Sequence, residues 1–281
     1  MGNPAAVLAL VLAMSAVGAS ALTWTRPTFG LVRAGYELLV GTIVALLGWG
    51  AHAAFAAPVA DVLAADPTSP VATTRPALLA LVGLTAVAVV LRMLRVTPLV
   101  PRLLGVAATV AGLVALWPLA LLRADAGGAG GVVQGVVELL LGTALLGSIL
   151  FGMLLGHWYL VERRLTNRPM VVVSWINVAV IGAGLASVLL SWRNPAPCAG
   201  LDGAAFQQCS LLFAPILRIG SMTVVLGLGV LSLLALIAAF NVRLAREGGR
   251  SIQAATGMFY LAVILAPAVE FAAKVRFFPP V

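Results

Sequence analysis

Glutamate and histidine side chains inside apolar runs are the groups of this sequence best suited to chemistry. Glu37 and Glu138 lie early in two such runs, and the chain's two histidines, His52 and His157, lie late in the same runs. Glu270 lies late in the last apolar run. Charges inside hydrocarbon are costly and usually face a bundle interior with a partner. Because a carboxylate near a cation or an imidazole can exchange protons, proton exchange is the first chemistry indicated.

Four ionisable groups are predicted to meet near one end of a helix bundle. Glu138 lies about six residues into its run, which is ~9 Å at about 1.5 Å per residue, and Arg218 lies at a similar depth in another run. Glu270 and His52 occupy the last turns of runs that end on the same side. We expect these four groups to form a binding or proton-exchange site. The alternative is an ion-pair clasp between helices, or charges that snorkel to the interface.

At the other end, Glu37 lies on the same side as the run His157-Trp158-Tyr159. Trp and Tyr at this depth are typical of an interfacial aromatic belt. The alternative is a pocket for a quinone headgroup, in which His157 would bond a carbonyl oxygen. The two histidines should lie near opposite faces, so holding a haem b would require help from another subunit.

The composition predicts an all-α integral membrane protein. Of the 281 residues, 62% are hydrophobic and 9% are charged, whereas soluble domains carry about 25% charged residues. We expect a single transmembrane domain over residues 1–281, with about eight transmembrane helices and no soluble domain. No basic residue precedes the first run, so we expect a retained helix rather than a signal peptide. The eight runs span 4–24, 35–57, 77–96, 103–122, 132–159, 170–192, 211–242 and 252–275.

Arginines predict the orientation. Two follow the first predicted helix, and three follow each of the third, fifth and seventh, whereas the opposite loops hold one each. The arginine-rich side should be cytoplasmic, which places both termini outside a bacterial cytoplasmic (inner) membrane. The basic residues form no patch, so the lipid bilayer rather than nucleic acid is the expected partner. Cys198 and Cys209 share an outer loop, where a disulfide can persist; two thiols alone make no metal site.

An internal similarity links the second and fifth runs. ELLVGT at 37–42 resembles ELLLGT at 138–143, and a histidine follows each glutamate by 15 and 19 residues. An Arg-Pro pair precedes the next run in both places. Predicted helices 2–4 and 5–7 would then form a 3+3 inverted repeat, with halves at 31–124 and 131–246, as in many transporters. Chance similarity between apolar segments is the alternative.

Three functions remain open. The chain has no Walker, HExxH or nucleophile-elbow motif with a partner histidine, so we do not expect it to be an enzyme by itself. The first hypothesis is a secondary transporter or proton- or ion-translocating protein that carries a proton or small solute. The second is a non-catalytic membrane-anchor subunit of a redox complex, with quinone or haem b and other subunits as partners. The third is a membrane assembly or structural factor.

Overall fold

The computed structural model describes residues 4–25, 32, 34–162, 164–194, 198, 200–212 and 222–278. Within these residues the fold is entirely helical, and eight helical segments are long and apolar enough to cross a membrane. The predicted bundle of about eight apolar helices is thereby confirmed, and it is consistent with an integral membrane protein. The helices are α1 (Pro4–Trp24), α2 (Ala34–Ala54), α3 (Ala56–Ala65), α4 (Thr74–Met93), α5 (Leu99–Leu121), α6 (Ala124–Val161), α7 (Arg168–Ser191), α8 (Gly203–Leu212), α9 (Met222–Glu247) and α10 (Ser251–Lys274), and a 3-10 turn covers Pro70–Thr73.

The start of α6 differs from the sequence prediction. The predicted runs 103–122 and 132–159 leave a connection between them, but α6 runs unbroken from Ala124. The glycines of this segment let α6 begin tightly against the end of α5. A Cβ built at Gly131 would lie 2.3 Å from the carbonyl oxygen of Arg123, and one at Gly135 would lie 2.9 Å from the Arg123 side chain. Close packing thus offsets the helix propensity that glycine lacks.

Two short helices occupy connections that were expected to be irregular. The second predicted run divides near Phe55 into α2 and α3. Helix α8 lies mostly in the connection between the predicted runs 170–192 and 211–242. Helix α9 ends before Gly248 and Gly249, whose φ angles of 71° and 57° are the left-handed values that terminate helices.

The eight long helices pack as two rings of four. In the first ring, α1 packs on α2, α2 on α4, α4 on α5, and α5 on α1. In the second ring, α6 packs on α7, α7 on α9, α9 on α10, and α10 on α6. This grouping has a unit of four consecutive long helices, whereas the inverted repeat proposed from sequence has a unit of three. That repeat stays a prediction.

The two rings join where α1 crosses α6. In the most apolar stretch of each helix, 72% of the α1 residues and 78% of the α6 residues are buried, whereas the other spans reach at most 50%. Helices α1 and α6 therefore form the centre of the molecule. At the crossing, a Cβ built at Gly147 would lie 2.2 Å from the carbonyl carbon of Gly18. A Cβ at Gly18 would lie 2.1 Å from the carbonyl oxygen of Thr143. The backbones therefore touch, as small residues allow in membrane helix pairs.

The predicted disulfide is present. Cys198, after α7, is bonded to Cys209 in α8, with their Cα atoms 5.9 Å apart. The bond ties α8 to the connection that leads out of α7.

Removing this disulfide should lower stability moderately. The bond closes a loop with a sequence separation of 11, for which chain entropy predicts about 3 kcal/mol. We expect Cys198→Ser to lower the free energy of unfolding by that amount, as measured by denaturant titration in detergent. Reductant should reproduce the loss in the wild type and leave the Cys198→Ser/Cys209→Ser variant unaffected. Equal stability of the oxidised and reduced wild type would contradict this expectation.

Candidate functional site

A fully buried group of charges lies in the second ring, where α6, α7 and α10 meet. The group comprises Glu138 on α6 and Glu270 and Lys274 on α10. Each of these residues is 0% exposed. Ser187 and Ser191 of α7 complete the set, which we call the ionic cluster. It lies toward the end of the bundle at which α7 ends, called here the cluster end; α7 begins at the opposite end.

Lys274 is the centre of the ionic cluster. Its Nζ lies 3.1 Å from Oε1 of Glu138 and 3.1 Å from Oε2 of Glu270. The same ammonium donates a hydrogen bond of 2.9 Å to Oγ of Ser187. The Ser187 hydroxyl in turn donates to Oε2 of Glu270 over 3.2 Å. One cation therefore serves two carboxylates.

The two carboxylates differ in how completely they are bonded. Ser191 donates to Oε1 of Glu138, and Nδ2 of Asn194 donates to its Oε2 over 3.1 Å. Both oxygens of Glu138 thus have donors. Among the described residues, Oε1 of Glu270 has no hydrogen-bond partner. Glu138 is satisfied as an anion, whereas Glu270 keeps one oxygen on which a proton could reside.

Helical spacing brings these side chains together. Glu270 and Lys274 are four residues apart on α10, and Ser187 and Ser191 are four apart on α7, so each pair shares one helix face. Gly142 lies one turn after Glu138 on α6. A Cβ there would lie 2.6 Å from Oε2 of Glu270, so the glycine makes room for the second carboxylate.

Polar contacts extend from the ionic cluster to the junction of α5 and α6. Arg123 donates through Nη2 to Oδ1 of Asn194 and through Nη1 to the Phe277 carbonyl oxygen over 3.3 Å. Gln134 donates 2.9 Å to the same Asn194 oxygen. Burial lowers the pKa of the Arg123 guanidinium, and the Glu138 carboxylate opposes that shift. Because arginine titrates far above neutrality, Arg123 stays charged and supplies a second cation one side chain away.

The structure brings together two of the four residues predicted for this site. Glu138 and Glu270 both contact the ammonium of Lys274. His52 instead bonds to Arg75, whose carbonyl oxygen lies 3.2 Å from Nδ1 and whose Nη2 lies 3.3 Å from Nε2. Arg218 lies outside the described residues.

Near the opposite end, Glu37 forms an ion pair in the first ring. Its Oε2 lies 2.6 Å from Nε of Arg92 on α4, and the two side chains are 7% and 17% exposed. Glu37 and Glu138, matched by the internal similarity, therefore have different basic partners on different helices.

Replacing Arg92 should destabilise the first ring. Arg92→Leu leaves the Glu37 carboxylate buried without its cation, which we expect to cost about 3 kcal/mol. Adding Glu37→Leu should recover most of this loss because no charge remains. The control is Arg243→Leu, which removes an exposed pair with Glu247 that should contribute under ~1 kcal/mol. Thermal unfolding in nanodiscs measures all three variants; equal effects of Arg92→Leu and Arg243→Leu would refute the expectation.

The side chains of His157, Trp158 and Tyr159 point in three directions. His157 is exposed, and its Nδ1 lies 2.9 Å from Oη of Tyr260. Trp158 packs against α2, where a Cβ at Gly35 would lie 2.4 Å from its ring. Tyr159 donates 2.6 Å to the Thr166 carbonyl oxygen. Of the three, Tyr159 lines a surface depression of about 300 Å³ together with Leu165, Gly249, Arg250, Ile252 and Gln253.

Sequence reasoning missed Lys274, the serines and Asn194. Lys274 is the single lysine of a chain with 17 basic residues, and it follows Glu270 by one helical turn. That spacing inside an apolar run was a usable signal. The serines gave a weaker signal, since serine is common in apolar helices and often bonds its own backbone.

Comparison of this chain with protein-family models, characterised proteins and solved structures gives no match.

Proposed function

We propose that this chain is an integral membrane protein that translocates protons, alone or coupled to a small solute as a secondary transporter. The ionic cluster is its proton-exchange site. The observation that carries the proposal is the full burial of Glu138, Glu270 and Lys274 within a ring of apolar helices. Ionisable residues at such depth are costly and usually mark ion or proton paths.

The charge balance supports exchange of one proton. With both carboxylates ionised, Glu138, Glu270 and Lys274 together carry one negative charge, which Arg123 offsets from a distance. A proton on Oε1 of Glu270 neutralises these three residues and breaks no hydrogen bond among the described residues. In either state the local net charge is no more than one, which limits the cost of burial.

The orientation is part of the proposal. We place the cluster end outside and the arginine-rich connections in the cytoplasm of a bacterial inner membrane, following the arginine bias. The Cys198–Cys209 bond lies in the connection that follows α7 at the cluster end. It supports an oxidising exterior there. Labelling of the free thiol of Cys198 in Cys209→Ser with a membrane-impermeant maleimide in intact cells tests the placement. Labelling only after lysis would reverse it.

A proton-flux measurement tests the function. Proteoliposomes containing the wild type and an internal pH-sensitive dye should show proton uptake under a potassium-diffusion potential. We expect Glu270→Gln to lower the flux by at least about tenfold, because the amide cannot take up and release the proton. The matched control is Glu247→Gln, at an exposed glutamate on α9, which should leave the flux unchanged.

Wild-type flux equal to that of empty liposomes, across applied pH gradients and potentials, would overturn the proposal. Unchanged flux in Glu270→Gln would remove the ionic cluster from the path.

A structural or assembly role is the second candidate, favoured by the pairing of Glu37 and Glu138. Arg92 holds Glu37, and Lys274, Ser191 and Asn194 occupy both oxygens of Glu138. Such closed pairs can fix helix register without any transport. This role would be favoured if variants of these pairs lowered the free energy of unfolding while the wild type showed no proton flux.

A redox-complex subunit is the remaining alternative, and the depression beside Tyr159 is the place where a quinone headgroup could lie. An absorption spectrum and a lipid extract of the gently purified protein distinguish it. A haem band or a stoichiometric quinone would favour this alternative over proton transport.

A further inference from the structure

A small cavity lies between the four helices of the second ring. Side chains from all four helices line it, including Ile149 of α6, Asn177 of α7, Asn241 of α9 and Phe259 of α10. The centre of a water-sized sphere can occupy about 10 Å³ of this cavity. About one water molecule fits a space of this size.

Two buried amides face this cavity with unmet hydrogen-bonding capacity. Asn177 is 2% exposed and Asn241 is 1% exposed. Within the part of the chain that the structure describes, Nδ2 and Oδ1 of Asn177 and Oδ1 of Asn241 have no hydrogen-bond partner. Unsatisfied amides are costly away from water, and most of all inside hydrocarbon. A small ligand that can both donate and accept would satisfy these two side chains.

The cavity selects the chemical class of that ligand. Apart from the two asparagines its walls are apolar, formed by residues such as Ile181, Leu234 and Phe259. A dehydrated cation needs several oxygen ligands, and a quinone or haem exceeds the available volume. One neutral molecule that accepts from Nδ2 and donates to the two Oδ1 atoms fits all the observations.

We propose that Asn177 and Asn241 bind one water molecule in the core of the second ring, and that this water relays protons toward the ionic cluster. The water site stands on the cavity and the amides alone. The relay role rests on the proposed function, so the two claims are tested separately.

The position of the site suits a relay. Asn177 lies nine residues after the start of α7, ~14 Å from the opposite end, and Asn241 lies six residues before the end of α9, ~9 Å from it at about 1.5 Å per residue. Ser187 of the ionic cluster follows ten residues after Asn177, ~15 Å further along α7. A proton that enters from the opposite end would meet the asparagines before the cluster.

An apolar contact separates the two sites. At Gly184 of α7, a Cβ would lie 2.7 Å from Leu145 and 3.1 Å from Leu231. These leucines pack against α7 between the asparagines and Ser187. The water thus occupies a position before this apolar contact.

Radiolytic footprinting in ¹⁸O-labelled water tests the water site in the full-length protein. Hydroxyl radicals form from bound water, so Phe259 in the cavity wall should be oxidised although it is 1% exposed. Phe151, equally buried on α6 and packed against Tyr36, is the control and should stay unmodified. In Asn177→Leu, which removes the amide, Phe259 oxidation should fall to the level of Phe151. Equal protection of Phe259 and Phe151 in the wild type would overturn the water site.

Proton flux tests the relay. We expect Asn177→Leu to lower the flux at least about fivefold and Ser232→Leu, an exposed control on α9, to leave it unchanged. Normal flux in Asn177→Leu with loss of Phe259 oxidation would make the water structural and overturn the relay. Absence of wild-type flux would overturn the proposed function and with it the relay, whereas the footprinting result would still decide the water site.

Discussion

Lys274→Met should be the most destabilising single charge removal in this protein. Lys274 is the cation that contacts Glu138 and Glu270 directly, and all three side chains are 0% exposed. Removing one member of a buried ion pair costs about 3–5 kcal/mol. Here one ammonium serves two carboxylates, so we expect a loss of about 5 kcal/mol at neutral pH. Denaturant unfolding in nanodiscs measures the loss.

A rescue variant separates charge from packing. Lys274→Met combined with Glu270→Gln and Glu138→Gln removes all three charges while approximately retaining volume, and it should recover at least about half of the loss. Methionine has nearly the same volume as lysine. Because the methionine remains in the triple variant, a defect caused by packing rather than by charge would persist there. Unfolding free energies that are equal in the single and triple variants would contradict an electrostatic origin.

Gly147→Leu should separate the two rings. Its Cβ would lie 2.2 Å from backbone atoms of Gly18, and the backbone cannot move aside as a flexible side chain can. Overpacking in a tight core costs about 1–3 kcal/mol and more against backbone, so we expect at least about 3 kcal/mol at this crossing. The effect should appear as loss of folded protein in size-exclusion chromatography and a lowered melting temperature.

Gly83→Leu is the matched control for the crossing. Gly83 lies within α4, and a Cβ there would meet nothing within 4 Å. The substitution should leave stability unchanged or raise it slightly, because leucine is a better helix former than glycine. If Gly83→Leu and Gly147→Leu unfold alike, helix propensity rather than the α1–α6 contact sets the effect.

Much of the helical fold was readable from composition and length. Runs of about 20 apolar residues need only local information to be predicted, and the described residues contain eight long apolar helices. The grouping into two rings was not readable, because apolar helices in a bilayer lack a solvated face that would reveal their neighbours. The α1–α6 crossing depends on Gly18 and Gly147, two of 29 glycines, and nothing local distinguishes them.

Only part of the site could be predicted from the sequence, for a related reason. Glu138 and Glu270 were singled out because charge is rare within apolar runs. Predicting their partners required knowing which helices are neighbours. His52 pairs instead with Arg75, across the connection that contains α3. Asn177 and Asn241 required knowledge of which faces of α7 and α9 turn inward. Lys274 was the avoidable omission, since its spacing from Glu270 is local.

The most direct test of the central claim is the pH titration of the Lys274 side-chain nitrogen. Lys274 is the chain's single lysine, so ¹⁵N-lysine labelling gives one side-chain NMR signal without further assignment. We predict that this signal shifts on acidification as Glu270 takes up a proton, and that the shift disappears in Glu270→Gln. A signal that does not change with pH in the folded wild type, or that titrates identically in Glu270→Gln, would contradict proton exchange at the ionic cluster.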